Sequence, residues 1–188
     1  MEPRLGETSD EILLRRFLDG RKSALGELAR RYEAPLLGLA RGLLRHRDEL
    51  ARDAIQETWV RVIRFGHTFN GDAGLKTWIY RIAINQCRDL ARLNQRHETA
   101  NDDENKTESR ASTTRPDNAA IESERDERIR AAIDDLDDAK REILLLCYHE
   151  GMTHSEAAAA LEIPIGTLKS RLHAALNELR ESLDREAL

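Results

Sequence analysis

Aromatic side chains are scarce in this chain, 4 % of 188 residues, and glycine and proline number only 10 and 4. A many-stranded sandwich or barrel needs turn residues at short intervals and aromatic or β-branched strands between them, so the composition points to an all-α protein. Cysteine is nearly absent: Cys87 and Cys147 stand far apart in apolar stretches. That excludes a disulfide framework and any paired-cysteine redox or zinc motif, and leaves two buried free thiols as the expectation. The six histidines, His46, His67, His97, His149, His154 and His173, are scattered without ligand spacing, so no metal and no other cofactor is expected. No phosphate loop, nucleophile elbow or paired-carboxylate site stands out, which argues against an enzyme. A long hydrophobic run is missing too. The charged N-terminus holds no signal-peptide core and no later segment reaches membrane-spanning length, so a cytoplasmic protein without direct membrane insertion is expected.

Charge is abundant, 35 % of residues, with a net value of -5 that by itself opposes nucleic-acid binding. Its distribution is uneven. Residues 1–100 sum to +4, residues 101–128 to -4 and residues 129–188 to -5, so only the first part is basic.

Apolar periodicity marks the helices. Ser9 suits an N-cap, with Ile12, Leu13 and Phe17 facing inward and Gly20 as the stop. From Ser23, the residues Leu25, Leu28, Ala29, Tyr32, Leu36, Leu39, Ala40 and Leu43 form one face, with Pro35 as a candidate kink. Asp48 is placed to cap a third helix with the stripe Ala51, Ile55, Trp59, Val62 and Ile63, closed by Gly66. The loop Phe69-Asn70-Gly71-Asp72-Ala73-Gly74 leads to a fourth helix whose apolar face is Leu75, Trp78, Ile79, Ile82, Ala83, Cys87 and Leu90. Beyond it, residues 96–127 are too polar to bury anything against their ordering entropy and read as a flexible acidic linker. The expected architecture is therefore two small helical domains, 1–95 and 128–188, without one large core.

In the second domain Ile129, Ile133 and Leu136 are helix-spaced, and Ile143, Leu144, Leu146, Cys147 and Tyr148 form a second apolar helix ending at Gly151. Thr153-His154-Ser155-Glu156 fits a capping box opening a short helix with Ala157, Ala158 and Leu161 inside. After Glu162-Ile163-Pro164 comes a longer helix with Ile165, Leu168, Leu172, Ala175, Leu176, Leu179 and Leu183 on its apolar side. Short helix, tight turn and longer helix make a helix-turn-helix. Thr167, Lys169, Ser170, Arg171 and His173 lie in the turns that enter a major groove, where Arg and Lys pair with guanine edges or phosphates. A merely solvated basic face fits the same spacing.

The run GMTHSEAAAALEIPIGTLKSRLHAAL resembles the promoter-reading C-terminal domain of extracytoplasmic-function sigma factors, in the sigma-seventy family. DAIQETWVRV resembles the helix those factors press against the RNA polymerase clamp, and FNGDAGLKTWIYRIAINQCRDLAR their promoter-melting segment. Both motif groups occur in the family's order, separated by a linker, so the resemblance covers nearly the whole chain. It implies a non-enzymatic subunit that binds core RNA polymerase and directs promoter recognition, melting and transcription initiation.

By that resemblance Asp53, Gln56 and Glu57, with Trp59 and Arg61 beside them, belong to the polymerase side; a solvated stripe is the plainer alternative. The loop at Asn70 resembles the family's pocket for a base flipped from the non-template strand of the minus-ten element, and Lys76, Thr77, Trp78, Arg81, Asn85 and Arg88 would line that strand's path. A plain interhelical loop would also use Asn and Gly. Trp78 suits either a wedge against the opened pair or the core, and its place on the apolar stripe favours core. Thr167, Lys169, Ser170, Arg171 and His173 would read the minus-thirty-five element. Asp137 stands where the family has a proline, and Ala174 where a basic residue commonly follows His173. The resemblance also implies an anti-sigma partner and a linker whose acidic residues stand in for RNA in the polymerase channel. A sigma mimic that sequesters an anti-sigma factor without initiating transcription is the competing reading. A free-standing helix-turn-helix repressor would need a dimer interface and a more basic reading head, and neither is evident.

Overall fold

The computed structural model describes residues 8–100 and 120–185. Among them the secondary structure is helical: α1 (Asp10–Leu18), α2 (Lys22–Leu43), α3 (Asp48–Phe65), α4 (Leu75–Ala100), α5 (Ala120–Asp135), α6 (Asp138–Leu144), α7 (His154–Leu161) and α8 (Ile165–Arg185). A short 3-10 turn, Gly66–Thr68, follows α3, and a π-helical turn, Leu145–His149, extends α6. The all-α expectation holds.

Local chemistry explains most boundaries. Ser9 caps α1, its side chain accepting from the Ile12 amide at 3.4 Å. Gly20, at φ 93°, lets the chain reverse after α1, and its amide donates to the Phe17 carbonyl at 2.9 Å. Asp10 then ties α1 to α2: its carboxylate accepts from Arg31 Nη1 at 2.7 Å and from the Tyr32 hydroxyl. Helix α2 runs unbroken through Pro35.

Several sequence expectations give way here. Asp48 is the first residue of α3 and not its cap; Arg47 holds that position, while Asp48 pairs with Arg41 at 2.9 Å across the α2–α3 turn. Gly66 does not stop a helix by left-handed geometry, since its φ is -54°. Its small size is what the site uses: a Cβ there would lie 3.2 Å from Leu14 Cδ1, so α1 packs directly on this turn. The stripe of α3 is Ala51, Ala54, Ile55, Thr58 and Val62, with Ile63 exposed. Ile12, Tyr148, Ile165 and Leu176 are likewise on the outside, displaced by neighbouring Leu13, Leu14, Leu146 and Leu168, which are buried.

Asp137 has a clear role. Its side chain accepts from the Lys140 amide at 2.9 Å and caps α6, a job a proline side chain could not do. The capping box of α7 is complete: Thr153 Oγ1 accepts from the Glu156 amide at 3.3 Å, and Glu156 Oε2 accepts from the Thr153 amide at 2.8 Å. Glu162, at φ 57°, ends α7, and three residues later α8 begins.

The largest departure concerns the core. Leu28, Leu36, Leu39, Ile79 and Ile84 from the first half join Ile143, Leu146, Ala157, Leu161 and Leu168 from the second in one continuous buried cluster. A fully buried leucine of this kind stabilises a fold by about 1.5–3 kcal/mol relative to exposure. The two halves therefore share a core, where the sequence had suggested two separate ones. The expected linker is helical at both ends, since α4 runs to Ala100 and α5 starts at Ala120. Its remainder, residues 101–119, with its flexibility and its proposed stand-in for RNA, lies outside the described residues.

Candidate nucleic-acid interface

Three surfaces collect the residues singled out by the sequence. On α3, Asp53, Gln56 and Glu57 are exposed at helical spacing, so they share a side, and Arg61 Nε lies 3.3 Å from Glu57 Oε1 one turn on. Beside them is a groove lined by Glu33, Leu37, Arg52, Ile55, Gln56, Trp59, Val60 and Ile63. Val60 and Ile63 are 45 % and 49 % exposed, and the Trp59 Nε1 donor is buried without a hydrogen-bond partner among the described residues. A polar stripe flanking an open apolar groove is chemically suited to docking a protein. Val60 went unnoticed in the sequence because it lies off the apolar period.

The second surface is the start of α8. Lys169, Ser170, Arg171 and His173 are exposed, and Thr167 is half-buried, its carbonyl accepting from the Ser170 hydroxyl at 3.0 Å. His173 Nε2 lies 3.2 Å from Asn177 Nδ2. Neither Lys169 nor Arg171 has an ion pair among the described residues. Leu168 and Leu172 anchor the opposite face in the core, so the short helix α7, the three-residue turn and α8 present these cations outward on a rigid support. The geometry is that of a helix-turn-helix.

The third surface runs from the Asn70 loop along α4, and it is partly covered. Asn70 is exposed, its side-chain oxygen accepting from the Asp72 amide at 3.2 Å while its amide group donates to the Asp72 carboxylate. Gly71, at φ 81°, completes this turn. Phe69 and Trp78 rings meet edge to face with centroids 5.7 Å apart, and Trp78 is half-buried against the core, so its ring serves packing. Thr77, expected along a strand's path, is only 3 % exposed and is not on this face. Asn85 is half-buried, 3.4 Å from Arg88 Nη1.

The cations of this row are held by the second half of the chain. Arg88 makes a two-pronged contact with Glu142, Nε and Nη2 each 2.6 Å from a carboxylate oxygen. That hydrogen-bonded carboxylate, more than any other influence, raises the Arg88 pKa. Arg81 Nη2 donates to the Ala159 carbonyl at 2.9 Å and Nη1 lies 3.3 Å from Glu162. Lys76 Nζ donates to the Glu150 carbonyl at 3.1 Å, and the Tyr80 hydroxyl donates to the Glu150 carboxylate. Burial foremost, and then that carboxylate, keep the Tyr80 phenol protonated far above its ordinary range. Glu142, Glu150, Glu162 and Tyr80 were not singled out as functional from the sequence.

Comparison with known proteins decides the family. The model of Sigma-70 region 2 matches residues 28–97 and that of Sigma-70, region 4 matches residues 126–179. The RNA polymerase sigma-H factor of Pseudomonas aeruginosa is 30 % identical over 188 residues, spanning 96 % of this chain and 95 % of that protein. The chain belongs to the extracytoplasmic-function sigma factors of the sigma-70 family. Another such sigma factor, the ECF RNA polymerase sigma-E factor of Escherichia coli K12, is 26 % identical over 95 % of this chain and 94 % of its own length. CnrH, solved in complex with the cytosolic domain of CnrY, superposes with a TM-score of 0.70 at 26 % identity, over 95 % of this chain and 99 % of CnrH. The sigma factor RpoE of Bartonella quintana, solved in complex with the anti-sigma factor NepR, shares the fold with a TM-score of 0.65 at 22 % identity, over 84 % of this chain and 97 % of RpoE.

As a sigma factor the chain is a non-enzymatic transcription initiation factor. The region-2 match spans most of α2 through α4, with the α3 groove and the Asn70 row, and the region-4 match takes in the helix-turn-helix. No helix among the described residues is long and apolar enough to cross a membrane, and no group of His, Cys, Asp and Glu there could hold a metal.

Proposed function

We propose that this sigma factor binds core RNA polymerase through the α3 face, by Asp53, Gln56, Glu57, Arg61 and the Trp59–Val60–Ile63 groove. In this reading it takes the melted non-template strand of the minus-ten element along Asn70, Lys76, Trp78, Arg81, Asn85 and Arg88. It reads the minus-thirty-five duplex with Thr167, Lys169, Ser170, Arg171 and His173. Thr77 acts from beneath, as part of the support of that strand site. The protein works in the cytoplasm, and an anti-sigma factor is its expected antagonist, the class of partner named in the complex of its structural neighbour RpoE.

One observation carries the reading: a single chain joins an open docking groove on α3 to an outward row of uncommitted cations on α8. A sigma mimic has no need of the second. The arrangement also assigns specificity to the assembled enzyme, because the region-4 half is acidic and offers few cations to phosphate.

The test is run-off transcription with core polymerase on promoters selected from a random library. Arg171→Ala is expected to lose activity at promoters with a minus-thirty-five element, and Asn70→Ala to slow promoter opening with that contact intact. Absence of promoter-dependent transcript under every condition sinks the sigma reading in favour of the mimic.

A further inference from the structure

Helix α4 begins without a cap of its own. The residue before it is Gly74, whose carbonyl accepts from the Trp78 amide at 3.1 Å but which has no side chain to take an unpaired amide of the first turn. The acceptor comes from α1 instead. Glu11 Oε1 accepts from the Leu75 amide at 3.3 Å, across 64 positions of sequence. A carboxylate at this end of a helix also meets the favourable end of its dipole.

The same helix seats the other end of the Asn70 loop. The turn Gly66–Thr68 follows α3 and leads into Phe69, whose amide donates to the Gly66 carbonyl at 3.2 Å. Leu14 Cδ1 lies 3.2 Å and Leu18 Cδ2 lies 3.6 Å from where a Gly66 Cβ would stand, so α1 rests directly on that turn. Helix α1 is itself tied to α2, because Arg31 Nη1 donates to the Thr8 carbonyl at 2.9 Å and to the Asp10 carboxylate at 2.7 Å. The chain from Phe69 to Gly74 thus hangs between two points that α1 holds. Within it, Phe69 leans on Trp78, and the bonds between Asn70 and Asp72 shape the exposed tip without fixing where that tip stands.

We infer that α1 is a brace for the Asn70 loop and that Glu11 is a positioning residue for promoter opening: by capping α4 it fixes the end of the loop against the helix that carries Lys76, Arg81 and Arg88. This rests on the proposed role of Asn70 in taking the flipped base, and Glu11 acts only through that loop. The region-2 match starts at residue 28, so α1 lies outside it. Without the cap the first turn of α4 frays, and the loop has to be ordered as the base enters, a cost that preorganisation removes.

Glu11 is exposed, so replacing it leaves the core intact. Glu11→Ala removes the acceptor, whereas Glu11→Gln keeps an amide oxygen of the same reach. Each is made in the full-length chain, alone and together with Asn70→Ala, and assembled with core polymerase. Promoter opening at saturating holoenzyme is followed by the fluorescence of 2-aminopurine placed just downstream of the minus-ten element. Core affinity and helical content serve as controls.

Glu11→Ala should open the promoter about fivefold more slowly, the size of a lost N-cap, with core affinity unchanged, and Glu11→Gln should stay within about twofold of wild type. In the Asn70→Ala background Glu11→Ala should add no further slowing, since a brace has no effect once the side chain it positions is gone. A wild-type opening rate for Glu11→Ala, with Asn70→Ala slow, overturns the brace and leaves the role of the loop standing. Slowing that multiplies with that of Asn70→Ala overturns it as well, because Glu11 would then act elsewhere. Glu11→Gln as slow as Glu11→Ala does the same, tracing the effect to charge and not to the cap. A wild-type rate for Asn70→Ala removes the role of the loop itself, and the brace with it.

Discussion

Arg141 Nη2 donates to the Leu136 carbonyl at 2.6 Å from a side chain only 1 % exposed. Its Nε reaches the Ile133 carbonyl at 3.3 Å, which also accepts from the Leu136 amide, so one guanidinium ties down the C-terminal end of α5. Burial foremost, and then the charge of Arg45, pull its pKa down, yet a guanidinium keeps its proton. Arg141→Met removes the donor while filling much of the space. Leaving the Leu136 carbonyl without the guanidinium donor should destabilise the chain by about 1–3 kcal/mol, read as a lower urea midpoint with an unchanged denaturant slope. A midpoint within error of wild type would mean that water takes over that carbonyl.

The capping box of α7 gives the fold an acid-sensitive element. Hydrogen bonds from the Thr153 hydroxyl and then the Thr153 amide hold the Glu156 carboxyl below its ordinary value of 4.5. The folded pKa is below the unfolded one, so the stabilisation is fully present above that ordinary value and is lost as pH falls through the depressed one. Thermal melts across this range should show the wild-type advantage over Glu156→Gln shrinking with acidification. Thr153→Ala should cost about 1 kcal/mol at neutral pH. A Glu156→Gln difference that is constant with pH would remove the carboxylate from this account.

Much of this was legible in the sequence, and the failures share a cause. Periodicity located the helices, and the Thr153-x-x-Glu156 box, the Ser9 cap and the Lys169 to His173 face are local signals that the fold has no reason to override. Ile63 and Ile12 were misplaced because a helical period defines a stripe only to within a residue on either side, and Thr77 was carried over from the resemblance without regard to which side of α4 it takes. Which neighbour is buried is settled by packing partners distant in the chain. The shared core was hidden for the same reason: Gly38 and Gly42 read as ordinary helix glycines until Leu145 and His149 are placed against them. Glu142 and Glu150 look like solvated acids, and only α4 makes them counter-charges.

The two thiols should differ in reactivity. Burial first, and then the nearby Glu142 charge, push the Cys87 thiol up to about 12, whereas Cys147 is half-buried and is raised by burial alone. At pH 8 a thiol of that pKa is ionised on the order of one part in ten thousand. Thiol-exchange labelling of the native chain should therefore modify Cys147 first and leave Cys87 for denaturant or for variants that loosen α6 from α4. Equal rates at both positions in the native chain would show that the contact between those helices opens freely.

Docking on α3 makes a demand that stability does not. Ile63 and Val60 are 49 % and 45 % exposed, and in the free chain they contribute little to the core. Replacing Ile63 by Asp should thus leave the unfolding free energy within about 0.5 kcal/mol of wild type. In a complex that seals the groove, the same carboxylate would be desolvated among Trp59, Val60 and Leu37, with Arg52 the one cation lining the groove and Glu33 already beside it. Binding to core polymerase should then weaken by about tenfold to a hundredfold, the usual range for a central interface anchor. Wild-type sigma added in competition should displace the variant from core, and excess variant should restore transcription if the defect lies in docking alone. Unchanged holoenzyme assembly by Ile63→Asp would move the polymerase contact away from this groove and onto the polar stripe of Asp53, Gln56 and Glu57, where charge reversal at Glu57 would be the decisive variant.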